Sequence, residues 1–388
     1  MNLINWQANF TEHQSHTWAE IQRVVDEEVV HIVATTSSEL RKKQGWSTID
    51  LSQMKMISFE RKGWWKLGTE VIRKHPGAIH VFGGFWADKR FFPLIIYAIV
   101  HGNKVAVMNE PFALDAVGYL NESSKLINRL KVKLRPWVYK LTALLLTTLS
   151  KPNQLCILAL SDCAEEQFIR AGFLSDQVFP FGYFVPKLEY ENEVCNEVQQ
   201  RPVKLIFVGS LLKRKGLDYA VYAVEALHAA GLSVSLDIYG HGESKEFLSS
   251  NSQSVSYKGE IPFGQSQKVI AEYDALILPS LHDGWGVVVN ESLLQGIPVI
   301  ASSNVGAKCM IEESGAGMVF ESGNQDSLLK LLNEFCTNAS LRGEQKRNAK
   351  DIGALITPKN AANYMKDVFE FYYAGQGERP KRIWCRQS

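Results

Sequence analysis

Residues 279–302, PSLHDGWGVVVNESLLQGIPVIAS, are the part of the sequence that most directly indicates the fold. An apolar segment at 275–278 precedes them and predicts a strand, and residues 298–301 predict a second strand. Between the two, a glycine-containing loop leads into a helical segment that stops before Gly296, with Pro298 just beyond it. In a parallel sheet, the loop after the carboxyl end of a strand is where ligands bind.

The loop in this stretch has the composition of a phosphate site. Gly284 and Gly286 allow the backbone to approach a ligand, and the helix amides from Val287 onward point at it, which suits a phosphate or diphosphate. Asp283 precedes the helix and Glu291 lies eight positions later, so helical spacing predicts that both acids share one face. They could hold two parts of an elongated ligand. Alternatively, Asp283 is a helix N-cap and Glu291 a solvated surface acid.

The segments DGWGVVVNES and GIPVIAS resemble the signature of retaining GT-B glycosyltransferases of glycosyltransferase family 4, the glycosyl transferases group 1. In that family an acid, a Gly-aromatic-Gly loop and a Glu eight positions on bind the nucleotide sugar. The first acid is usually Glu, and Asp283 takes its place here. The resemblance implies that Glu291 holds the ribose hydroxyls, whereas Asp283 and the amides around Trp285 and Gly286 face the sugar and its phosphates. It also implies an α/β fold of two Rossmann-like, doubly wound domains facing a central cleft.

Length and composition agree with a two-domain globular protein. The chain has 388 residues, of which 46% are hydrophobic and 21% charged, enough to build two cores of ordinary size. A net charge of +1 argues against a general nucleic-acid binder.

The cysteines and the apolar segments indicate an intracellular setting. The six cysteines form no CxxC pair and no zinc spacing, which predicts reduced thiols in a cytoplasmic protein. The N-terminal residues lack the basic region and apolar core of a signal peptide. The apolar run at 137–149 is too short and too interrupted to span a membrane.

The first half of the chain alternates strands with helices, which predicts a parallel, doubly wound sheet. The loops after these strands would hold two histidines, His13 and His16, two glycines, Gly83 and Gly84, and one acid, Glu110. The histidines could touch an acceptor hydroxyl, or they could be caps or surface residues. Relatives often carry a polar acceptor-site residue near the position of Glu110, so we predict a catalytic role for it. Where many relatives have a glycine pair after the first strand, this sequence has Gln-Ala-Asn at 7–9.

Residues 123–161 contain seven basic residues and no acid, interleaved with apolar residues and a tryptophan. The basic residues are Lys125, Arg129, Lys131, Lys133, Arg135, Lys140 and Lys151. A basic amphipathic segment of this kind predicts contact with an anionic membrane surface through residues 123–151. The alternative is a core-facing helix whose solvated face is basic.

A polar segment at 187–202 predicts the domain boundary. We therefore expect an N-terminal acceptor-binding domain at 1–186 and a C-terminal nucleotide-sugar-binding domain at 187–372. In GT-B proteins the final helix crosses back to the first domain, which implies that residues 373–388 pack there.

A second phosphate-binding loop follows the predicted strand at 204–208. Gly209 and the three cations at 213–215 suit a diphosphate, because amides would cradle it and the cations would neutralise it. A solvated basic turn is the alternative. The family often has Gly-Arg followed by Lys-Gly; Ser210 takes the arginine position, Lys215 matches the lysine, and Arg214 could supply the missing guanidinium.

A third glycine turn, which includes Gly242, follows the strand at 233–239, and a strand at 255–260 carries Lys258. In relatives the latter strand lies against the nucleotide base. The residues that we predict to bind the donor are Gly209, Ser210, Arg214, Lys215, Gly242, Lys258, Gly284, Trp285, Gly286, Val287 and Glu291. The residues that we predict to act in catalysis are Asp283, Lys215 and Glu110.

The resemblance implies a retaining transferase that moves a hexose from a UDP- or GDP-sugar to a lipid-linked or cell-surface glycan, as in lipopolysaccharide, O-antigen or exopolysaccharide synthesis. The sequence has no Asp-x-Asp cluster, so we expect a metal-independent enzyme without a cofactor, peripheral on the inner face of the cytoplasmic membrane. Two alternatives stay open: a nucleotide-sugar-binding protein without turnover, and a dinucleotide-dependent oxidoreductase. Against the oxidoreductase, this sequence lacks the GxGxxG, followed by an acid about twenty residues on, that marks a dinucleotide-binding domain.

Overall fold

The computed structural model describes residues 1–25, 29–34, 54–113, 125–190, 201–242, 252–262 and 264–385, without the side chains of 125–129. The strands are β1 Leu3–Gln7, β2 Val29–Val33, β3 Lys55–Ser58, β4 Ile79–Phe82, β5 Lys104–Asn109, β6 Leu155–Leu160, β7 Val178–Phe181, β8 Val203–Val208, β9 Val234–Tyr239, β10 Val255–Gly259, β11 Ala275–Leu278, β12 Val299–Ser302 and β13 Gly317–Phe320. The α-helices are α1 Glu12–Val24, α2 Trp64–Lys74, α3 Phe91–Val100, α4 Lys125–Leu149, α5 Asp162–Ala171, α6 Leu217–Ala229, α7 Ser266–Ile270, α8 Val287–Leu294, α9 Lys308–Ser314, α10 Gln325–Thr337, α11 Ala339–Leu355 and α12 Pro358–Ala374.

The chain forms two compact units, each with its own sheet. Among the described residues, unit 1 contains those at 1–113, 126–184 and 358–383, and unit 2 contains those at 125, 185–357 and 384–385. Both sheets are parallel throughout, and where the structure describes the connection between successive strands of a sheet, that connection contains a helix. The predicted fold class, α/β with two doubly wound domains, is confirmed in this respect.

In unit 1 the strand order is β3-β2-β1-β4-β5-β6-β7. The chain runs outward from β1 through β2 to β3 and then returns to β4 on the other side of β1, so the order reverses between β1 and β4. The central strands are buried along their whole length, as expected when helices cover both faces of a parallel sheet.

The helix α12 belongs to unit 1, which differs from the predicted boundaries. The predicted boundaries place residues up to 372 in the second domain and only the tail from 373 in the first. Instead α12 packs beside α1, and the hydroxyl of Tyr372 donates to the carbonyl of Leu155 at 2.7 Å. The crossover occurs earlier because one face of α12 is apolar and buries against unit 1. Trp384 and Cys385, the last described residues, belong to unit 2 rather than to unit 1.

In unit 2 the strand order is β10-β9-β8-β11-β12-β13. The chain runs from β8 to β9 and β10, then returns to β11 and continues to β12 and β13. The direction of winding therefore reverses between β8 and β11, which are paired at Leu205 with Ala275 and at Ile206 with Leu276. Connections on the two sides of such a point leave in opposite directions, and ligands bind in the crevice that opens outside the carboxyl ends of the strands.

Candidate active site

The loops that follow β8 and β11 are joined at this reversal point. The amide of Leu281 donates to the carbonyl of Arg214 at 2.8 Å, and the Arg214 guanidinium donates to the carbonyl of His282 at 3.2 Å. Gly216, with φ +60°, passes so close to the second loop that a Cβ there would lie 2.2 Å from the carbonyl oxygen of Pro279. A glycine is therefore required where the two loops cross.

Lys215 and Asp283 form an ion pair across the two loops. The Lys215 ammonium lies 2.5 Å from Asp283 Oδ2, and the two side chains are only 11% and 13% exposed. Two residues that were predicted separately as catalytic are thus brought together. Solvent screens a partly buried ion pair only weakly. The pair therefore interacts strongly with any further charge that binds next to it.

Asp283 is not the N-cap of α8, so that alternative is wrong. The residue before the helix is Gly286, in the left-handed region at φ +88°. Asp283 lies three residues earlier, in a short parallel bridge to Val305, with its amide donating to the carbonyl of Asn304 at 3.0 Å. The chain between Asp283 and Gly286 is therefore not helical, and helical spacing to Glu291 does not orient the two carboxylates.

The first turn of α8 presents backbone amides at the carboxyl edge of the sheet. The first amides of a helix have no intrahelical acceptor and carry the positive end of the helix dipole. In α8 these begin at Val287, directly after the glycine loop and four positions after Asp283 in the chain. Together with Lys215 they give this edge two sources of positive potential, which is the arrangement that a phosphate or diphosphate requires.

The indole of Trp285 points into the protein rather than toward the edge of the sheet. It is 2% exposed, and its N–H donates to Asn290 Oδ1 at 2.8 Å, an amide that is itself buried. Trp285 can therefore offer a ligand only its backbone. Sequence reasoning missed Asn290, because a single Asn inside a helix carries no signal for a partner five positions earlier.

The glycine turn after β9 packs against the loop after β8. A Cβ at Gly240, where φ is +142°, would lie 1.8 Å from the carbonyl oxygen of Gly209. The amide of Leu211 donates to the carbonyl of His241 at 2.8 Å, and Gly242 lies against the carbonyl of Leu211. The loop that carries Ser210, between Gly209 and Leu211, is therefore fixed from the β9 side of the sheet.

Glu291 lies on α8 and accepts a hydrogen bond from Ser266 Oγ at 2.9 Å. It is half-buried rather than fully solvated, so the surface-acid alternative does not describe it. Tyr190 lies near it: burial, and then the negative charge of Glu291, raise the pKa of the Tyr190 hydroxyl. Sequence reasoning missed Ser266 because it begins a short helix with no motif of its own.

Lys258 does not extend toward the glycine turn. Its ammonium lies 3.6 Å from Asp237 Oδ1 on the neighbouring strand β9. The adjacent residue, Tyr257, lies on the opposite face of β10, and its hydroxyl donates to the carbonyl of Gly240 at 2.9 Å. The alternation of side chains along a strand could have indicated that only one of these neighbours reaches the turn.

In unit 1, Glu110 and His13 converge on one tyrosine. Glu110 follows β5 directly, and Tyr183 Oη donates to its Oε1 at 2.8 Å. The ring of His13 lies 4.7 Å from that of Tyr183, edge to face, and its Nε2 lies 3.0 Å from Thr11 Oγ1. These residues lie after the carboxyl ends of β5, β7 and β1, the ligand-binding edge of the sheet. Tyr183 was not predicted.

His16 and the glycines after β4 are placed differently. His16 lies one turn further along α1 than His13 and pairs with Glu12, with Nε2 and Oε1 3.7 Å apart. A Cβ at Gly83 would lie 2.2 Å from the side-chain oxygen of Gln7, and Gly84 has φ +106°. Gln7 thus fills the space beside Gly83.

The unit 1 sheet also buries two neutral histidines. Trp6 Nε1 donates to His80 Nδ1 at 3.1 Å, and Asn5 Nδ2 lies 2.9 Å from His31 Nδ1. Burial lowers the pKa of His31 to about 4 and, with a small contribution from His75, that of His80 to about 3. Both imidazoles are structural parts of the sheet rather than acid–base groups near neutral pH.

The two parallel sheets define an α/β protein of the GT-B fold, and solved structures share it. HepE from Anabaena, solved in complex with UDP, aligns with a TM-score of 0.67 at 13% identity, covering 95% of this chain and 100% of that chain. WaaG, described as a glycosyltransferase involved in lipopolysaccharide biosynthesis, aligns with a TM-score of 0.57 at 15% identity, covering 95% of this chain and 99% of that chain.

Sequence comparison shows which family the second half of the chain matches. Residues 191–352 match the family Glycosyl transferases group 1, so this part of the chain is a domain of that family. The lipopolysaccharide glucosyltransferase WaaG of Escherichia coli K12 is 23% identical over 189 residues, 45% of this chain and 50% of its own length. An uncharacterised 41.2 kDa protein in the cps region of Klebsiella pneumoniae is 29% identical over 132 residues, 34% of this chain and 36% of its own length. The chain thus spans between about a third and half of the length of these relatives.

Proposed function

We propose that this protein is a retaining glycosyltransferase that moves a hexose from a UDP- or GDP-sugar to a lipid-linked or cell-surface glycan. The observation that carries the proposal is the meeting of Lys215 and Asp283 at the point where the sheet order of unit 2 reverses. A cation, a carboxylate and the amides that open α8 are adjacent there. This combination suits a ligand with an anionic diphosphate and a hydroxyl-rich sugar.

The chemistry is the departure of a diphosphate from the anomeric carbon of the sugar. The bond between that carbon and the phosphate oxygen breaks, and its electron pair leaves with the diphosphate, while the acceptor oxygen bonds to the carbon and its proton passes to the leaving phosphate oxygen. Negative charge grows on the leaving phosphate. Lys215 and the amides after Gly286 are fixed before the reaction, so they would stabilise that charge without reorganising. Arg214, which is anchored on the carbonyl of His282, adds to the positive potential.

The remaining predicted residues divide between donor and acceptor. Glu291, held by Ser266, would accept hydrogen bonds from the ribose hydroxyls, and the loop with Ser210 and Gly242 would line the diphosphate. The cluster of Glu110, Tyr183 and His13 would receive the acceptor hydroxyl. Support for a nucleotide-sugar donor comes from HepE, which has been solved with UDP-glucose, and support for a glycan product from WaaG, named as a lipopolysaccharide glucosyltransferase.

The proposal is tested with a panel of UDP-, GDP- and ADP-sugars. We expect slow hydrolysis of one of them by the protein alone and faster transfer when a lipid-linked glycan is added. Tight binding of a nucleotide without turnover would favour the binding protein instead. Binding of NAD with no affinity for any sugar nucleotide would favour the oxidoreductase.

We further propose that the protein is peripheral on the inner face of the cytoplasmic membrane, with α4 on the lipid. Within the described ranges, no helix combines the length and apolarity needed to cross a membrane. One side of α4 nevertheless carries exposed apolar side chains: Leu130, Leu134, Trp137, Val138, Leu141, Leu144, Leu145 and Leu149. A soluble protein rarely leaves so long an apolar stripe uncovered unless it binds a partner.

The cations of α4 border this stripe. At 3.6 residues per turn, Lys133 and Lys140 lie along one side of it and Lys131 along the other. The Lys140 ammonium lies 5.1 Å from the centre of the Trp137 ring. An apolar stripe with cations on both borders is complementary to an anionic bilayer surface, where apolar groups enter the interface and ammonium groups meet the phosphates. Arg135 instead donates to the carbonyl of Ala113 at 3.4 Å, on the protein side.

A further inference from the structure

The last described residues of the chain return to unit 2 and cover the tryptophan of the glycine loop. Trp384 is 1% exposed, and its ring centre lies 6.2 Å from that of Trp285, with 55° between the planes. The next residue, Cys385, donates its thiol hydrogen to Glu313 Oε2 on α9, with Sγ and Oε2 3.0 Å apart. A residue about a hundred positions away in sequence thus completes the surroundings of Trp285.

Trp285 lies between Gly284 and Gly286. Because glycine has no side chain, Trp285 supplies the one side chain of these three residues that can hold the loop in place. Glycine gives the backbone on both sides more conformational freedom than any other residue would. Two hydrogen bonds of Trp285 fix the loop. Its indole N–H donates to Asn290 Oδ1, and its backbone carbonyl accepts from the amide of Ala307 at 2.8 Å. Movement of the indole would therefore shift the backbone that connects Asp283 to the first turn of α8.

We propose that Trp384 is a positioning residue for the nucleotide-sugar site. By covering the Trp285 indole it fixes the backbone from Asp283 to Val287, whose amides would receive the donor diphosphate. Deleting the Trp384 ring would open a cavity of indole size beside Trp285, into which that side chain can relax. This inference rests on the proposed function, because it assigns Trp384 to the donor half of the reaction.

A packing role and a positioning role have different consequences. If Trp384 only filled space, variants that stay folded would bind nucleotide as the natural protein does. If it positions the loop, nucleotide affinity and the KM for the donor change together, whereas the KM for the acceptor does not. The variant Trp384→Leu keeps apolar volume at the site without the ring, and Trp384→Phe keeps a smaller ring.

The experiment measures the affinity of UDP, GDP and ADP by calorimetry for the full chain and for Trp384→Ala, Trp384→Leu and Trp384→Phe, with Tm recorded for each. Trp65→Ala is the matched control, since Trp65 lies in unit 1 and is 45% exposed. We expect about tenfold weaker binding in Trp384→Leu, a smaller loss in Trp384→Phe, and no loss in the control. If Trp384→Ala does not fold, the other two variants decide the question.

Two negative results are distinguishable. If folded Trp384→Leu and Trp384→Phe bind the nucleotide as tightly as the natural protein, the positioning role is overturned and the proposed function stands. If the natural protein itself binds none of the three nucleotides, the proposed function fails, and the role of Trp384 in it fails too.

Discussion

The Lys215 ammonium lies 2.5 Å from Asp283 Oδ2, and this ion pair joins two loops that are 68 residues apart in sequence. Both side chains are nearly buried, so neither charge is compensated mainly by water. In the proposed complex with a diphosphate, Lys215 would share its hydrogens between the carboxylate and a phosphate oxygen, as an ammonium has three to donate. The pair therefore holds the cation in place before the donor arrives.

Replacing Lys215 with alanine is expected to slow turnover about tenfold to a hundredfold. The loss corresponds to one hydrogen bond to a charged group, on the order of 1.5–3 kcal/mol. The kcat should fall more than the KM for the donor rises, because the negative charge on the leaving phosphate is larger in the transition state than in the bound donor. Steady-state kinetics with the preferred sugar nucleotide measure both.

Lys213→Ala is the matched control for this prediction. Lys213 belongs to the same three-cation loop but is exposed, whereas Lys215 is nearly buried. Its loss should alter the rate by less than threefold at moderate salt, since an exposed charge is screened. Equal losses in the two variants would show that the loop acts only through its net charge.

Glu291→Gln is expected to weaken donor binding about tenfold with little effect on kcat. The carboxylate is proposed to accept from the ribose, and an amide keeps the size but offers one acceptor where the carboxylate offers two. Ser266→Ala should give a smaller loss, because Ser266 only orients Glu291 through a 2.9 Å hydrogen bond. Calorimetry with the free nucleoside diphosphate is the measurement. Glu272→Gln, at an exposed position, serves as the control, and the ribose assignment would be dropped if Glu291→Gln bound like it.

Much of the fold could be predicted from the sequence. The strands predicted at 204–208 and 275–278 correspond to β8 and β11, because each is a strongly apolar segment with clear stop signals. The strand β3 was missed, since its sequence KMIS is short and half exposed. Helix α11 was also missed, because it is mostly polar and its one buried face is narrow.

The residues of the candidate site could be proposed one by one from the sequence, but their contacts could not. The glycines and charged residues near strand ends are visible locally, so Gly209, Lys215 and Asp283 could be proposed as site residues. The partners that fix them are distant in sequence: Trp384 for Trp285, and Ser266 for Glu291. No periodicity or motif links such pairs, so only the folded chain could show them.

Activity is expected to persist in EDTA. This prediction rests on two features of the sequence: the loop at 213–215 carries three cations, and no Asp-x-Asp cluster is present. Cations at a diphosphate leaving group neutralise the charge that a divalent metal would otherwise neutralise. Transfer rates with 5–10 equivalents of EDTA and after re-addition of Mg²⁺ or Mn²⁺ test this. Complete loss in EDTA, restored by either ion, would contradict it.

Unit 1 is expected to lose stability in mild acid because it buries two neutral histidines. In the unfolded chain a histidine titrates near pH 6.5, whereas burial lowers the pKa of His31 to about 4 and that of His80 to about 3. Below pH 6.5 the unfolded chain therefore binds more protons than the folded one. The stabilisation is fully present above pH 6.5 and declines as the pH falls toward 4, by about 1.4 kcal/mol per pH unit for each histidine.

Urea unfolding at pH 7 and at pH 5 measures this effect. His80→Gln should be less stable than the natural protein at pH 7 but should show about half of its dependence on pH. His101→Gln, at an exposed position, should leave the pH dependence unchanged. If His80→Gln kept the full dependence, other groups would be responsible for it.

Finally, α4 is expected to bind vesicles that contain anionic lipid. Each Lys or Arg near such a surface contributes about 1 kcal/mol, and Trp137, which is 64% exposed, adds apolar burial. Lys131, Lys133 and Lys140 border the exposed stripe, so about three productive contacts are expected, enough for reversible binding. Co-sedimentation with vesicles of neutral lipid, and of neutral lipid with 30% anionic lipid, is the measurement, at low and at moderate salt.

Two variants separate charge from apolar burial at this surface. Replacing Lys131, Lys133 and Lys140 with Glu should abolish binding to anionic vesicles, whereas Trp137→Ala with Leu141→Ala should weaken it at both salt concentrations. Arg135→Glu is not a suitable substitute, because Arg135 donates to the carbonyl of Ala113 and its loss would disturb unit 1 itself. Lys66→Glu, on the exposed side of α2, is the control for a general effect of net charge. If the triple variant bound as well as the natural protein at low salt, the cations of α4 would be an ordinary solvated face, and the acceptor would have to reach the enzyme without help from this surface.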